Sequence, residues 1–310
     1  MASHWRAGGL AGPGWPIVPP GKAGKDRPLA SGRKGDFLTQ STRILITGAA
    51  GRIGRVLRDG LRRDDRILRL VDIADLGTAG DREELVRLDV TDLGALEAAM
   101  EGVDCVVHLA AIPEEQPWDT IFPLNFTLTY NVFEAARHCG VRRVVFASSI
   151  QAVGFHPRSN TLDITARLRP SGYYGVSKAF GEAMANLYAD KHGLSVACVR
   201  IASFQSKPIN ARMLVTWLSH PDAVHLFDRC IDADDYHFLA VYGVSNNTQR
   251  RVDNSHVAWL GYDPQDDAER FRAEIEAQGS PEDPIGALTH GGSFCDMDFS
   301  DAAKKFLDSD

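Results

Sequence analysis

Beyond residue 42, short continuous runs of apolar residues alternate with longer segments in which apolar positions recur every three or four residues. RILIT (43–47), RILRLV (66–71), LVRLDV (85–90), DCVVHLA (104–110), RRVVFAS (142–148) and SVACVRI (195–201) have strand length. GRVLRDGLRR, LGALEAAME, YNVFEAARHCG and the segment opening with GYYGVSKAFGE read as the helices between and after them. Strands that are apolar on both faces and separated by helices predict a parallel sheet covered on both sides, an α/β fold of the Rossmann-type, doubly wound kind. Past residue 201 the alternation fails. RMLVTWLSHPDAVHLFDRCI reads as a helix around a proline, HFLAVYGVS as a strand, and SHVAWLGYDP with DDAERFRAEIEA as strand-poor sequence ending in a helix. The expected organisation is a cofactor-binding domain over 43–201. A small C-terminal substrate-binding cap over 202–310 follows, interleaved with the last strands and lying over the carboxyl edge of the sheet, where ligands bind in such folds.

Residues 1–42 show no such periodicity. They hold eight Gly and five Pro, with six Lys/Arg against two Asp/Glu. This composition predicts a disordered extension, either a genuine part of the protein or sequence upstream of the true start; it lacks the Arg-rich amphipathic face of a targeting peptide.

The remainder holds the excess acid behind the net charge of −7, which disfavours nucleic acid as a partner. No window approaches the roughly 18 consecutive apolar residues of a membrane span, so neither a membrane nor a secretory route is expected, and the default location is cytoplasmic. Five cysteines, an odd number and never spaced as CxxC, argue against a disulfide framework or a structural zinc. None of the ten histidines sits at HExxH spacing, so no metal is expected.

The first strand runs directly into TGAAGRIG, where Gly48, Gly51 and Gly54 with Arg52 and Ile53 between them precede an amphipathic helix. Glycine is needed for the turn, for close approach of backbone N–H groups to a pyrophosphate, and for tight packing of helix on strand. A lone glycine triplet is weak evidence, but the strand before and helix after make it a dinucleotide loop. Asp72, at the end of the second strand, lies 18 residues beyond Gly54. A carboxylate there bonds ribose hydroxyls and repels a 2′-phosphate, which selects NAD over NADP; Asp75 is a neighbouring but weaker candidate. Asp89 and Val90, then Leu109, Ala110 and Ala111, and Ile201 reach the same edge from the ends of the third, fourth and sixth strands.

In GYYGVSK, Tyr174 and Lys178 are four residues apart and share a helix face, whereas Tyr173 is rotated away. An ammonium near a phenol favours the phenolate and makes it a usable base. Val176, Phe180, Ala183, Met184 and Leu187 form an apolar stripe that would anchor this helix. FASS places Ser148 and Ser149 at the open edge, where a hydroxyl can hold the oxygen that Tyr174 protonates or deprotonates. An incidental tyrosine beside a surface lysine would be the preferred reading if this pair stood alone; with the glycine loop and the serines it does not.

In their order along the chain, TGAAGRIG, PLNFTLTYNVFEAAR, SS and YGVSK resemble the extended short-chain dehydrogenase/reductase (NAD-dependent epimerase/dehydratase-type) family over nearly all of 43–310. The resemblance implies a catalytic Ser149, Tyr174 and Lys178, and an Asn125 near the nicotinamide. NARMLVTWLSHPD, DNSHVAWLGYDPQDDAERFR and ALTHGGSF are similar to the uronate dehydrogenases within that family. That similarity implies oxidation of the C1 hydroxyl of a cyclic galacturonate- or glucuronate-type acid to an aldarolactone, with Arg212 on the sugar carboxylate and Ser203 touching substrate. A guanidinium offers the bidentate fork this needs. The chain departs from that pattern at Ile150 and Gln151, where those enzymes carry Asn-His, and at Pro113, where they carry serine. Lost hydroxyl partners point toward a less hydroxylated or differently configured acid. The rival readings are a nucleotide-sugar epimerase, which would hold NAD through gel filtration, and a non-catalytic NAD-binding redox sensor, a class that tends to lose the tyrosine or lysine. A dehydratase is disfavoured because Ile150 and Gln151 stand where those relatives carry an acidic pair. The resemblance also implies a homo-oligomer.

Overall fold

The computed structural model describes residues 41–234, 236–279 and 284–306. The predicted disordered extension therefore lies almost wholly outside the described residues.

Seven strands form one sheet in the order β3-β2-β1-β4-β5-β6-β9, with every neighbouring pair parallel: β1 (Thr42–Thr47), β2 (Arg66–Asp72), β3 (Glu83–Arg87), β4 (Cys105–His108), β5 (Arg143–Ser149), β6 (Ser195–Ile201) and β9 (Phe238–Gly243). A pair of two-residue strands, β7 (Ser203–Phe204) and β8 (Trp217–Leu218), lies between β6 and β9 in sequence. The helices in chain order are α1 (Arg52–Gly60), α2 (Leu93–Met100), α3 (Trp118–Ile121), α4 (Thr127–His138), α5 (Tyr173–His192), α6 (Met213–Thr216), α7 (His220–Asp232), α8 (Arg272–Gln278) and α9 (Pro284–Leu288).

Alternation along each strand feeds two cores. Ile44, Ile46, Leu68 and Val107 point to the face covered by Leu57 of α1, by Leu61 at its C-cap and by Leu226 and Phe227 of α7. Leu45, Val71, Val106 and Phe146 point to the face covered by Leu96, Val132, Phe133 and Ala185 from α2, α4 and α5. With both faces dry, the central strands must be apolar throughout, and β5 and β6 are buried from end to end. This is the doubly wound sheet expected from the sequence.

The differences are local. The third strand begins two residues earlier and stops at Arg87, because the Asp89 carboxylate accepts the Thr91 N–H at 2.9 Å and turns the chain. The helix expected around a proline is two helices parted by β8. Pro221 sits in the first turn of α7 behind an N-cap in which Ser219 Oγ accepts the Asp222 N–H at 3.2 Å. The fourth helix reaches back through a five-residue π turn, Phe122–Phe126, where Pro123 has no N–H for the α-helical ladder.

The apolar stripe predicted on α5 anchors it only in part: Phe180 meets the Phe126 ring at 5.0 Å and Met184 packs against the core, but the other three positions face outward. Val176 and Leu187 are 37% and 45% exposed, and Ala183 is also on the surface. The buried face carries Gly175, Ser177, Lys178, Gly181, Glu182, Ala185, Tyr188 and Ala189. A Cβ on Gly181 would overlap the Phe146 ring, so the helix lies too close to the sheet for large side chains at that point. At the next residue, Glu182 binds Arg200 of β6 through two hydrogen bonds of 2.9 Å and accepts the Ser148 hydroxyl at 2.6 Å; Arg200 also donates to the Tyr242 hydroxyl at 2.9 Å.

Removing one partner of a buried ion pair leaves the other charge uncompensated. Glu182→Ala should therefore lower unfolding free energy by about 3–5 kcal/mol in urea titration, and a paired apolar replacement with Arg200→Met should recover most of the loss.

Candidate active site

The C-terminal ends of the sheet strands open into a cleft of about 820 Å³. At one end is the turn after β1. Gly48 has φ +71, a left-handed conformation, and a Cβ there would stand 2.7 Å from the Ala110 backbone nitrogen. Neither the turn nor the contact admits a side chain. Gly51 precedes α1 as its N-cap, its N–H donating to Gly48 O at 3.0 Å, so the first amides of the helix face the cleft. The fourth-strand exit is stitched to this turn: Thr47 Oγ1 accepts from Leu109 N at 3.2 Å and Ala110 N at 3.3 Å. The same hydroxyl meets Nδ1 of His108 at 2.8 Å, and burial pushes that imidazole down to about 3, keeping it neutral.

Asp72 accepts the Ala50 N–H and the Ala74 N–H, each at 2.9 Å, one on each carboxylate oxygen. Each oxygen keeps a lone pair for a hydroxyl. Gly48, Gly51, Arg52, Ile53, Gly54, Asp72, Asp89, Val90, Leu109, Ala110, Ala111 and Ile201 all line the cleft, as the sequence predicts. Asp75 does not line it; its carboxylate accepts the Gly77 N–H instead. The donor set fits a dinucleotide: a turn at Gly48 that only glycine can make against Ala110, helix amides beyond it for the pyrophosphate, and a carboxylate for ribose hydroxyls.

Asn125 is not a cleft residue among those described. Its side chain is 2% exposed and spent on structure, accepting from Ile112 N at 2.8 Å and donating to Ile112 O at 3.1 Å and Ser177 Oγ at 3.2 Å. The π turn before α4 carries this residue, which braces the loop after β4 from behind the cleft wall through the cleft residue Ile112.

At the other end of the cleft stand Ser149, Tyr174 and Lys178. Ser148 points the opposite way, to Glu182. Ser149 accepts the Gln151 N–H at 3.2 Å and donates to Ile201 O at 3.5 Å, with the Tyr174 phenol beside it. Burial pushes that phenol up to about 12, the Ser149 contact pulling the other way, and burial pushes the Lys178 amine down to about 8. Lys178 Nζ is 5.5 Å from the Tyr174 ring centre and 5.2 Å from that of Phe146. The sequence predicts that the ammonium brings the phenol into useful range. Without ligand the dry surroundings outweigh it, and each group is held in its neutral form more strongly than in water.

Ile150, Gln151, Ser203 and Arg212 also line the cleft. Arg212 donates to His290 O from Nε and Nη2, at 3.1 and 2.7 Å, and to Ser203 Oγ from Nη1 at 2.9 Å. Gln151 is committed elsewhere: its amide donates to Gly291 O at 3.0 Å and accepts from Ser171 Oγ at 2.7 Å. Gln151 and Arg212 thereby tie the segment 290–295 to the cleft, and that segment supplies Phe294, whose ring is 5.8 Å from the Tyr174 ring. Phe294, Ile112, Glu114, Phe204, Gln205 and Met213 line the cleft without having been singled out. ALTHGGSF carries Phe294, but nothing in its spacing tells which residue folds back over the site.

A model of the NAD-dependent epimerase/dehydratase family matches residues 44–219. Uronate dehydrogenase from Pseudomonas syringae pv. tomato is 42% identical, covering 83% of this chain and 94% of that one. Uronate dehydrogenase from Agrobacterium fabrum is 44% identical, covering 82% and 97%. The crystal structure of a mutant uronate dehydrogenase from Agrobacterium tumefaciens complexed with NAD superposes with a TM-score of 0.79 at 43% identity, covering 83% and 97%.

A lysine whose folded value lies below its ordinary one destabilises the protein while it is charged, and the penalty disappears as pH rises from about 8 toward the unfolded value near 10.5. Lys178→Met should therefore stabilise the ligand-free protein by about 3 kcal/mol at pH 7, a gain that shrinks through that window in denaturation curves recorded at several pH values.

Proposed function

The chain belongs to the NAD-dependent epimerase/dehydratase family, and from that membership we propose that it oxidises the C1 hydroxyl of a cyclic uronic acid of the galacturonate or glucuronate type to an aldarolactone. The observation that carries the reading is the meeting of the glycine turn, Ser149, Tyr174, Lys178 and Arg212 in one cleft. NAD, when bound, supplies the acceptor for the hydride leaving C1. Everything else is done by side chains. Arg212 takes the sugar carboxylate, its guanidinium already aimed by His290 O and Ser203. Ser149 holds the reacting oxygen, and Tyr174 receives its proton.

Tyr174 and Lys178 act as a unit. The pair loses its first proton near the lower of its two values, about 8, and the phenolate–ammonium and phenol–amine forms then differ only in where the remaining proton sits. The lysine lets the base form without a net change in charge. We take residues 43–201 as the cofactor domain and 202–310 as the cap that brings Arg212 and Phe294.

No helix among the described residues is long and apolar enough to cross a membrane. All five cysteines are free, which suits the reducing cytoplasm in which we place the enzyme. The exposed apolar side chains of α4 and α5, Tyr130, Tyr173, Val176 and Leu187, support self-association through that face. Val176→Asp with Leu187→Asp should convert an oligomer to a monomer in light scattering, and a wild-type protein already monomeric at micromolar concentration contradicts this assignment.

Incubated with NAD and a panel of hexuronic acids, neutral aldoses and nucleotide sugars, the protein should generate NADH absorbance with hexuronic acids, its kcat/KM rising with pH toward about 8. Tyr174→Phe should abolish turnover while NAD affinity stays within about twofold. Activity retained by that variant, or confined to neutral or nucleotide sugars, overturns the reading.

A further inference from the structure

The catalytic helix α5 begins without a cap of its own. Gly172, its N-cap, offers no side chain, and the amides of the first turn have no partner within the helix. They are taken by a residue 58 positions away. One oxygen of Glu115 accepts the Tyr173 N–H at 2.6 Å and the other accepts the Tyr174 N–H at 3.0 Å. A Cβ at Gly172 would collide with that carboxylate, so glycine there makes room for it.

The Tyr174 carbonyl is held from the same side. It accepts the Ser177 hydroxyl at 2.7 Å, that hydroxyl accepts from Asn125, and Asn125 brackets both backbone groups of Ile112. Both backbone polar groups of Tyr174 are thus fixed to the loop after β4. That loop also presents Leu109, Ala110 and Ala111 to the cofactor cleft and is itself pinned at Thr47. A carboxylate on two consecutive amides makes charge-assisted hydrogen bonds and opposes the positive end of the helix.

We propose that Glu115 is a positioning residue for the proton transfer at Tyr174: by clamping the first turn of α5 to the cofactor loop, it sets the phenol's place relative to the nicotinamide site. It touches neither substrate nor cofactor in this role, and the inference rests on the oxidation proposed above. Glu114, beside it, lines the cleft and does not share the clamp.

The test uses Glu115→Gln, which keeps one accepting oxygen, Glu115→Ala, which keeps none, and Gly172→Ala, which displaces the carboxylate from outside. Amide hydrogen exchange at residues 173 and 174 should accelerate in the order wild type, Gln, Ala, with Gly172→Ala resembling Ala. In turnover of hexuronic acid, kcat should fall about tenfold for Gln and about a hundredfold for Ala and for Gly172→Ala, with KM for the acid and the NAD dissociation constant within about twofold. Unchanged exchange, a kcat within twofold of wild type for Glu115→Ala, or a loss of kcat matched by an equal loss of NAD affinity overturns the proposal. Should the wild-type protein oxidise no uronic acid, the functional reading fails by itself, and the exchange rates still decide whether Glu115 holds the helix.

Discussion

The seat of α5 on the sheet sets where the chemistry can stand. Gly181 leaves no room for a side chain against Phe146, and Glu182 meets Arg200 one residue further on. With the helix fixed at that height, Lys178 is forced to 5% exposure under the cleft, and Tyr174, one turn earlier, reaches its floor beside Ser149. A larger residue at 181 would lift the helix and carry both groups away from the glycine turn. The site is therefore a consequence of packing as much as of catalytic residue type.

That placement has an energetic consequence. Polar groups that would be comfortable in water are held dry: the lysine is pushed toward its neutral amine and the tyrosine toward its neutral phenol. Burial alone opposes both charged forms, yet the proposed reaction needs the tyrosine to give up its proton. The two demands meet in the pair, where one proton is shared and the charges, when present, compensate each other. Hydrogen bonds from Asn125 to Ile112, Ser177 to Tyr174 and Gln151 to Gly291 fix the frame in which the pair stands.

Much of this was legible in the sequence. Continuous apolar runs marked the strands, the glycine triplet followed one of them, and a tyrosine and lysine four apart shared a face; each signal is local in the chain. What was misread depended on distant partners. Apart from Tyr188, the buried face of α5 is made of Gly, Ser, Ala, Lys and Glu, so hydrophobicity found only the edge of it, at Phe180 and Met184. Asn125 is brought to Ile112 by a π turn, a pairing that spacing does not announce. Gln151 stands where relatives carry a polar sugar contact, and its bonds to Ser171 and Gly291 are equally silent in the sequence. Phe294 and Glu115 reach the site from segments more than fifty residues away from α5 or from its opening turn, and no periodicity announces such pairings.

In the proposed reaction Tyr174 removes a proton from an oxygen while a hydride leaves the carbon bearing it. Galacturonate deuterated at C1, oxidised in ordinary water with NAD, follows that hydride. One deuterium should appear in the nicotinamide ring of each reduced cofactor and none in solvent. Deuterium appearing in water, or reduced cofactor without it, would contradict direct transfer in this cleft.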